Sequence, residues 1–176
     1  KILKYRPYLK VVKSECSIDE TENILTFVLF NPSFANQYML DETIKNCAYL
    51  TFKNNEYNGF EILNLFSLRD SKVNKKTAEK DCEYYFYEKV IFQNVVLAWG
   101  YSEFKTKIAK LRFNTINQKY KTGKTKYYEL HRIDTNETKP FHFGNAFWSS
   151  QKLPFKKSLD AGKINLKQIN EDEILN

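Results

Sequence analysis

Two asparagines lie at or within apolar segments of this chain, and their primary amides could bind a ligand. Asn31 follows the run Ile24–Phe30, and Asn64 lies inside the run Phe60–Phe66. An amide offers a donor and an acceptor side by side, which fits a pyrimidine edge or another amide. Because a buried amide is costly unless it is hydrogen-bonded, Asn64 either pairs with a neighbouring loop or binds a ligand. Pro32 favours an extended backbone at Asn31, whose amide either projects from a strand tip or closes an Asx-type turn.

A tryptophan–glycine pair and one of only two histidines provide further candidate positions. Gly100 allows a ligand or another backbone to come close, and Trp99 beside it either lines a site or belongs to the core. His142 lies between two phenylalanines. Its imidazole either is held structurally or donates a hydrogen bond to a group that gains negative charge.

Hydrophobic periodicity predicts the elements that must position these residues. The predicted strands are Leu9–Cys16, Ile24–Phe30, Phe60–Phe66, Asn94–Gly100 and Lys126–Ile133, with the first two joined as a hairpin by the polar turn SIDETEN. The predicted helices run from Asp41 to a break at Asn58-Gly59, from Thr77 to Phe92, and from Ser102 toward Tyr120 with a stop near Gly123. The apolar face of the first helix contains Ile44, Cys47, Ala48 and Phe52.

Apolar strands that alternate with helices indicate an α/β fold. We expect one domain over residues 1–176, with a central, mainly parallel four-stranded sheet, helices on both faces and an N-terminal hairpin. Ligands of such sheets bind at the carboxyl ends of the strands. The pattern therefore predicts that Asn31, Asn64, Trp99 and His142 surround one site.

The net charge of +7 is unevenly distributed. Between Tyr101 and Lys126 there are eight basic residues and one acid, Glu103. The eight are Lys105, Lys107, Lys110, Arg112, Lys119, Lys121, Lys124 and Lys126. A basic face suits nucleic acid or a strongly acidic protein, although lysines also simply solvate a helix.

Composition argues against several other classes of function. The 3 cysteines and 2 histidines have no zinc spacing, so neither a metal nor a cofactor is predicted. No apolar run approaches the ~20 residues of a membrane span, and we expect a cytoplasmic protein without a membrane partner. The chain also lacks a Gly-rich phosphate loop of either common type.

Four short segments resemble the ordered blocks of domain of unknown function 1643. They are FVLFNPSFANQYMLDETIKNC, ILNLFSLR, LAWG and KPFHF, and the resemblance runs from about Tyr5 to Phe143. The chain departs from that pattern at Asn36, where the family usually has Asp, and at Glu42, where it has Pro. It also has Phe143, and not Pro, after the histidine.

The same blocks, in the same order, resemble the uracil-DNA glycosylase superfamily. That resemblance implies that Asn31 positions the attacking water, that Asn64 reads the pyrimidine edge, and that His142 stabilises the departing base. The base pocket it implies would be lined by Pro32, Ser33, Asn64, Phe66, Trp99 and Gly100.

Departures from the active glycosylases indicate weak or absent uracil excision. Asn31 cannot accept a proton, and a carboxylate base typically contributes ~10²–10⁴-fold in rate. Ser33 stands where active enzymes often have an aromatic, and the segment after His142 lacks their Leu-tipped loop. The chain is therefore more consistent with a pseudoenzyme than with an active N-glycosylase.

Three functions remain open at this level. The first is a glycosylase-like domain whose basic cleft binds DNA or an acidic, DNA-mimicking glycosylase inhibitor. The residues of that cleft would be Arg69, Lys105, Lys107, Lys110, Arg112, Lys124 and Lys126. The second is an active glycosylase on a uracil-like or modified base, and the third is a nucleotide-binding α/β enzyme.

Overall fold

The computed structural model describes residues 8–17, 22–31, 42–53, 55–67, 90–100, 103–141, 143 and 155–175. The strands are β1 (Tyr8–Val12), β2 (Ile24–Leu29), β3 (Gly59–Asn64), β4 (Phe92–Leu97), β5 (Lys121–Arg132), β6 (Glu137–Lys139) and β7 (Ile164–Ile169). The helices are α1 (Glu42–Phe52), α2 (Glu103–Tyr120), α3 (Phe155–Asp160) and α4 (Glu171–Leu175).

The strands form one mixed sheet. Its order is β1-β3-β2-β4-β5-β6, and β7 also pairs with β5. The neighbours β3-β2, β2-β4 and β4-β5 are parallel, whereas β1, β6 and β7 are antiparallel to their partners. The predicted α/β class is confirmed, but the described residues form a sheet of seven strands and not four.

The two faces of the sheet have separate apolar cores, because successive strand residues point to opposite sides. On β2, Phe27 faces the core that includes Ile44 of α1 and Leu159 of α3. Val28 faces the core that includes Phe113 of α2 and Ile174 of α4. Helices therefore cover both faces, and α1 packs as its predicted apolar stripe requires.

The predicted N-terminal hairpin is wrong. Strand β1 pairs antiparallel with β3, in the register Tyr8↔Leu63 to Val12↔Gly59. Strand β2 cannot accept it, because β3 and β4 already occupy the two edges of β2 and all six of its residues are buried.

Strand β5 has three partners. It pairs with β4 up to Glu129, and its last residues, Leu130–Arg132, pair with both β6 and β7. These two short partners therefore lie on opposite sides of β5. Strand β6 occupies the side on which β4 has ended, since the Gly100 amide after β4 donates to the carbonyl of Pro140 at 2.8 Å.

The start of β5 is irregular. The strand begins at Lys121, directly after α2 and earlier than the predicted Lys126. The register with β4 shifts between the pairs Phe92↔Lys121 and Asn94↔Lys126, so residues 122–125 bulge out of the ladder. Phe92 is the first residue of β4 and not the last of a helix, and Val90 and Ile91 before it are not helical. Residues 77–89 of that predicted helix lie outside the described residues.

Gly59 is required where β1 approaches β3. A Cβ atom at this position would lie 2.4 Å from the carbonyl oxygen of Val11 and 2.9 Å from Cα of Val12. Both are backbone atoms of a paired strand and cannot move aside alone. We expect Gly59→Ala to lower the free energy of unfolding by at least about 2 kcal/mol, measured by urea denaturation.

Gly123→Ala is the matched control for that substitution. A Cβ atom at Gly123 would meet nothing within 4 Å, so its effect should stay within about 0.5 kcal/mol. Equal losses for the two variants would contradict a steric role for Gly59.

Candidate ligand-binding edge

The two asparagines lie on adjacent parallel strands. Leu29 of β2 is the register partner of Asn64, and the amide of Leu65 donates to the Leu29 carbonyl at 2.8 Å. Asn31 is two residues beyond Leu29. Strand geometry therefore places the Cα atoms of Asn31 and Asn64 about 8 Å apart. We call the edge where β2, β3 and β4 end the carboxyl edge, and the opposite edge, where they begin, the amino edge.

Asn31 and Asn64 also share a side of the sheet. By alternation, Asn64 falls on the same side as Ile62, and Asn31 on the same side as Leu29, which is the side covered by α1. Asn64 is only 1% exposed and Asn31 is half-buried. Among the described residues no donor reaches the Oδ1 atom of Asn64, although the residue takes part in other interactions.

Trp99 and Phe66 lie on the other side of the sheet. Both belong to the core beneath α2, where Trp99 packs on Phe113 with ring centroids 5.6 Å apart and Phe66 packs on Phe30 at 4.8 Å. Trp99 is 1% exposed, and its Nε1–H finds no acceptor within the described part of the chain. These two aromatic rings therefore do not share a face with Asn31.

Gly100 connects the carboxyl edge to the segment that contains His142. Its φ of 93° lies in the region that favours glycine, and its amide donates to the Pro140 carbonyl. On the far side of His142, Nδ2 of the buried Asn46 donates to the Phe143 carbonyl at 2.7 Å. The Phe143 ring is fully buried against Phe27 at 5.4 Å. The Phe143 ring is thus packed on β2, and Pro140 lies close to the end of β4.

Several predicted site residues lie outside the described part. They are Pro32, Ser33, Arg69 and His142, together with the side chain of Lys105. Their predicted roles stay predictions.

The basic residues do not form one patch. Helix α2 has 18 residues and is about 27 Å long, and it runs from the carboxyl edge back to the amino edge. Lys107 and Lys110 lie on its first half, near the carboxyl edge. Lys124 and Lys126 follow the helix at the amino edge, where β5 begins.

Arg112 takes part in the packing of α2 on the sheet. Its guanidinium lies 4.1 Å from the centroid of the Phe66 ring, and Nη1 donates to the Leu65 carbonyl at 3.1 Å. An arginine held in this way supports the end of β3, because it binds the first carbonyl beyond the strand. Its role in binding an external phosphate is therefore less direct than the sequence predicts.

Glu61 is a buried carboxylate that sequence analysis did not single out. It is 5% exposed on β3, and it accepts hydrogen bonds from Tyr8 Oη at 2.8 Å and from Thr26 Oγ1 at 2.7 Å. Burial raises the pKa of Glu61, while the hydrogen bonds from Thr26 and Tyr8 oppose that shift. The one sequence signal is an acid inside the apolar run Phe60–Phe66.

Glu129 is a second carboxylate that the sequence did not reveal. It lies on β5, and burial raises its pKa to about 7, with a further upward contribution from Glu173 and an opposing one from Lys110. Glu129 points to the side of the sheet covered by α2 and α4, since it alternates with Leu130 of the opposite core. Its protonation state therefore changes near neutral pH.

Stability should fall as pH rises through the titration of Glu129. The folded-state pKa is above the ordinary value of 4.5, so the folded state binds more protons between these values and is stabilised at low pH. From pH 5 to pH 8 this group should lower the free energy of unfolding by about 2 kcal/mol. Urea denaturation at four pH values measures how the free energy of unfolding changes with pH. The variant Glu129→Gln should lack the part of this change that comes from Glu129. Glu56→Gln, at an exposed carboxylate, is the control and should keep the whole change.

Within the described ranges, no helix combines the length and apolar character needed to cross a membrane. Nor does the described part group three or more His, Cys, Asp or Glu side chains in a way that could hold a metal ion.

The sheet is mixed, helices cover both of its faces, and the side-chain amides of Asn31 and Asn64 lie near each other at its carboxyl edge. These features define an α/β protein with a candidate ligand-binding edge. The family model described as protein of unknown function (DUF1643) matches residues 11–142, and the chain belongs to that family. The resemblance predicted from the four blocks is thus confirmed for this family. No curated protein and no solved structure matches the chain.

Proposed function

We propose that this protein is a uracil-DNA-glycosylase-like domain that binds DNA and receives a pyrimidine-type base at the carboxyl edge, with little or no excision of that base. The observation that carries the proposal is the pair Asn31 and Asn64, on one side of two adjacent parallel strands and about 8 Å apart. Parallel α/β sheets bind their ligands at this edge.

The arrangement of the parallel strands supports the glycosylase-like proposal. Along the chain β2 is followed by β3, β4 and β5, and in space the order is β3-β2-β4-β5. The connections from β2 to β3 and from β3 to β4 therefore run in opposite directions across the sheet, which makes the ends of β2 and β4 a topological switch point. Asn31 stands directly at that point, where the resemblance places the residue that positions water.

The buried amide supports recognition of a base. Asn64 lies at the last residue of β3 with 1% exposure, where water screens a hydrogen bond little. An amide aligned with the O4 and N3–H edge of uracil pairs with both atoms, whereas cytosine presents the reverse pattern.

Charge near the same edge supports a DNA partner. Lys107 is exposed on the first half of α2, and Lys110 is partly buried one turn further on. A flipped base must be accompanied by its flanking phosphates, which cations near the base site can hold. An acidic protein that mimics DNA could bind the same cations, and it is the alternative partner that the experiments must separate from DNA.

Discrimination between bases tests this proposal. We would measure by fluorescence anisotropy the affinity for a duplex with one uracil·guanine mismatch and for the same duplex with cytosine·guanine. We expect at least several-fold tighter binding of the uracil duplex, with the preference lost in Asn64→Leu because that side chain cannot hydrogen-bond the base. Asn94→Leu, near the start of β4 at the amino edge, is the matched control and should keep the preference for the uracil duplex.

Two results would overturn the proposal. One is equal binding of the two duplexes by the unaltered protein. The other is binding of an acidic glycosylase inhibitor at concentrations where neither duplex binds, which would assign the edge to a protein partner.

A further inference from the structure

A polar cavity of about 410 Å³ lies at the amino edge, remote from Asn31 and Asn64. It is formed where the start of β5 meets the end of β7 and the start of α4. The lining residues used below are Lys121, Thr122, Thr125, Lys126, Gln168 and Glu171. Its volume is within the range of small-molecule sites in proteins.

One wall of this amino-edge cavity is the bulge at the start of β5. The Thr125 hydroxyl donates to the Phe92 carbonyl at 2.6 Å and accepts the Thr122 amide at 2.8 Å. The amide of Lys124 donates to the Thr122 hydroxyl at 3.3 Å. These bonds hold the bulge in one conformation outside the ladder, so the wall is preformed.

The back of the cavity is a hydrogen-bonded network. Asn117 of α2 is fully buried, accepts the Tyr127 hydroxyl at 2.8 Å and donates Nδ2 to Oε1 of Glu171 at 2.9 Å. Lys121 donates to the same oxygen at 2.8 Å, and this hydrogen bond raises the pKa of Lys121. The negative charge of Glu171 is therefore compensated within the protein and leaves the cavity free to accept an anion.

The remaining charge of the cavity is positive. Lys126 lines it and is exposed, and Lys124 is exposed on the bulge beside it. Within the described residues neither ammonium forms an ion pair. The Lys126 ammonium and the Gln168 side-chain amide, held in a preformed concave site, are donors that phosphate oxygens accept.

We propose that the amino-edge cavity binds a small phosphorylated molecule, with Lys126 contacting its phosphate and Gln168 contacting the rest of the molecule. This site is separate from the carboxyl edge. Its existence does not depend on the DNA-binding function proposed above, and it assigns Lys126 to a small anion and not to a DNA groove.

Nuclear magnetic resonance tests the proposal on the full chain. Sodium pyrophosphate would be titrated at constant ionic strength set with sodium chloride, while the amide shifts of Gly123 and Thr125 are followed. We expect saturable shifts confined to the cavity, and at least about 10-fold weaker binding in Lys126→Gln. Lys163→Gln removes the same charge just before β7, at its far end, and should bind pyrophosphate as the unaltered chain does.

Three outcomes would overturn the proposal. Shifts that do not saturate, or that are spread over many lysines, would show only diffuse attraction of anions. An equal loss of affinity in Lys126→Gln and Lys163→Gln would show an effect of net charge alone.

A second titration, with a nucleoside monophosphate and with duplex DNA, identifies the source of the phosphate. Stronger shifts of Gly123 by the duplex than by the monophosphate would assign the cavity to nucleic acid.

Discussion

Duplex DNA that contains uracil should keep its uracil when incubated with this protein. We expect excision at least about 10²-fold slower than by a standard uracil-DNA glycosylase, because Asn31 cannot act as a general base. The structure adds a second reason, since Phe66 and Trp99 are buried beneath α2 and leave no aromatic ring from these two positions to hold a base beside Asn31. Alkaline cleavage of a labelled oligonucleotide measures abasic-site formation.

Asn31→Asp is the informative variant for that assay. It introduces a carboxylate of almost the same shape as the amide. We expect the rate of uracil excision to rise by ~10²-fold or more relative to the unaltered chain, which is what a general base contributes. Rapid excision by the unaltered chain, lost in His142→Ala, would contradict the prediction and show an active glycosylase.

Binding to duplex DNA should weaken steeply as salt increases. Each neutralised phosphate contributes about −0.9 to the slope of log affinity against log salt concentration. For about three phosphate contacts, affinity should fall about 40-fold between 50 and 200 mM salt. A double variant Lys107→Gln, Lys110→Gln should bind more weakly and reduce the slope by about two.

The control for the salt series is the double variant Lys124→Gln, Lys126→Gln. It removes the same charge at the amino edge and should leave the slope for DNA unchanged. Equal effects of the two double variants would refute a local phosphate site on α2. A shallower slope with an acidic inhibitor protein than with DNA would be expected in either case, since a folded protein releases fewer condensed counterions.

Sequence patterns predicted best what depends on local periodicity. The apolar stripe of α1, with Ile44 and Cys47 fully buried, follows from helical spacing alone. The approximate positions of β2, β3 and β4 follow from continuous apolar runs, and the closeness of Asn31 and Asn64 follows from the parallel pairing of β2 with β3.

Features that depend on pairing between distant segments were not predicted. The partner of β1 depends on which strand edges remain open after the central strands have paired. Strand β7 was not predicted because three of its six residues are exposed and its apolar residues, Ile164, Leu166 and Ile169, do not form a continuous run. The alternation of strands with helices predicted that Trp99 and Asn64 lie near the same edge of the sheet. The face of the sheet toward which each side chain points depends on the strand register and on the position of α2.

The division of the basic residues between two edges could have been predicted. A helix that follows a strand in a parallel sheet must return across the full height of the sheet before the next strand begins. The lysines at the two ends of α2 are therefore separated by about the length of the helix. Charge counted along the sequence concealed this separation.

The hydrogen bonds of Glu61 favour the native register of three strands, β1, β2 and β3. The carboxylate on β3 takes one hydroxyl from β1 and one from β2, so both neighbours must be in their native register for its oxygens to be satisfied. A slip of one residue would turn Glu61 toward the apolar core of the opposite face, away from both hydroxyls, at the cost of an uncompensated buried polar group. A misaligned pairing of β3 with β1 or β2 is thus disfavoured, because it leaves Glu61 without the hydroxyl groups of Tyr8 and Thr26.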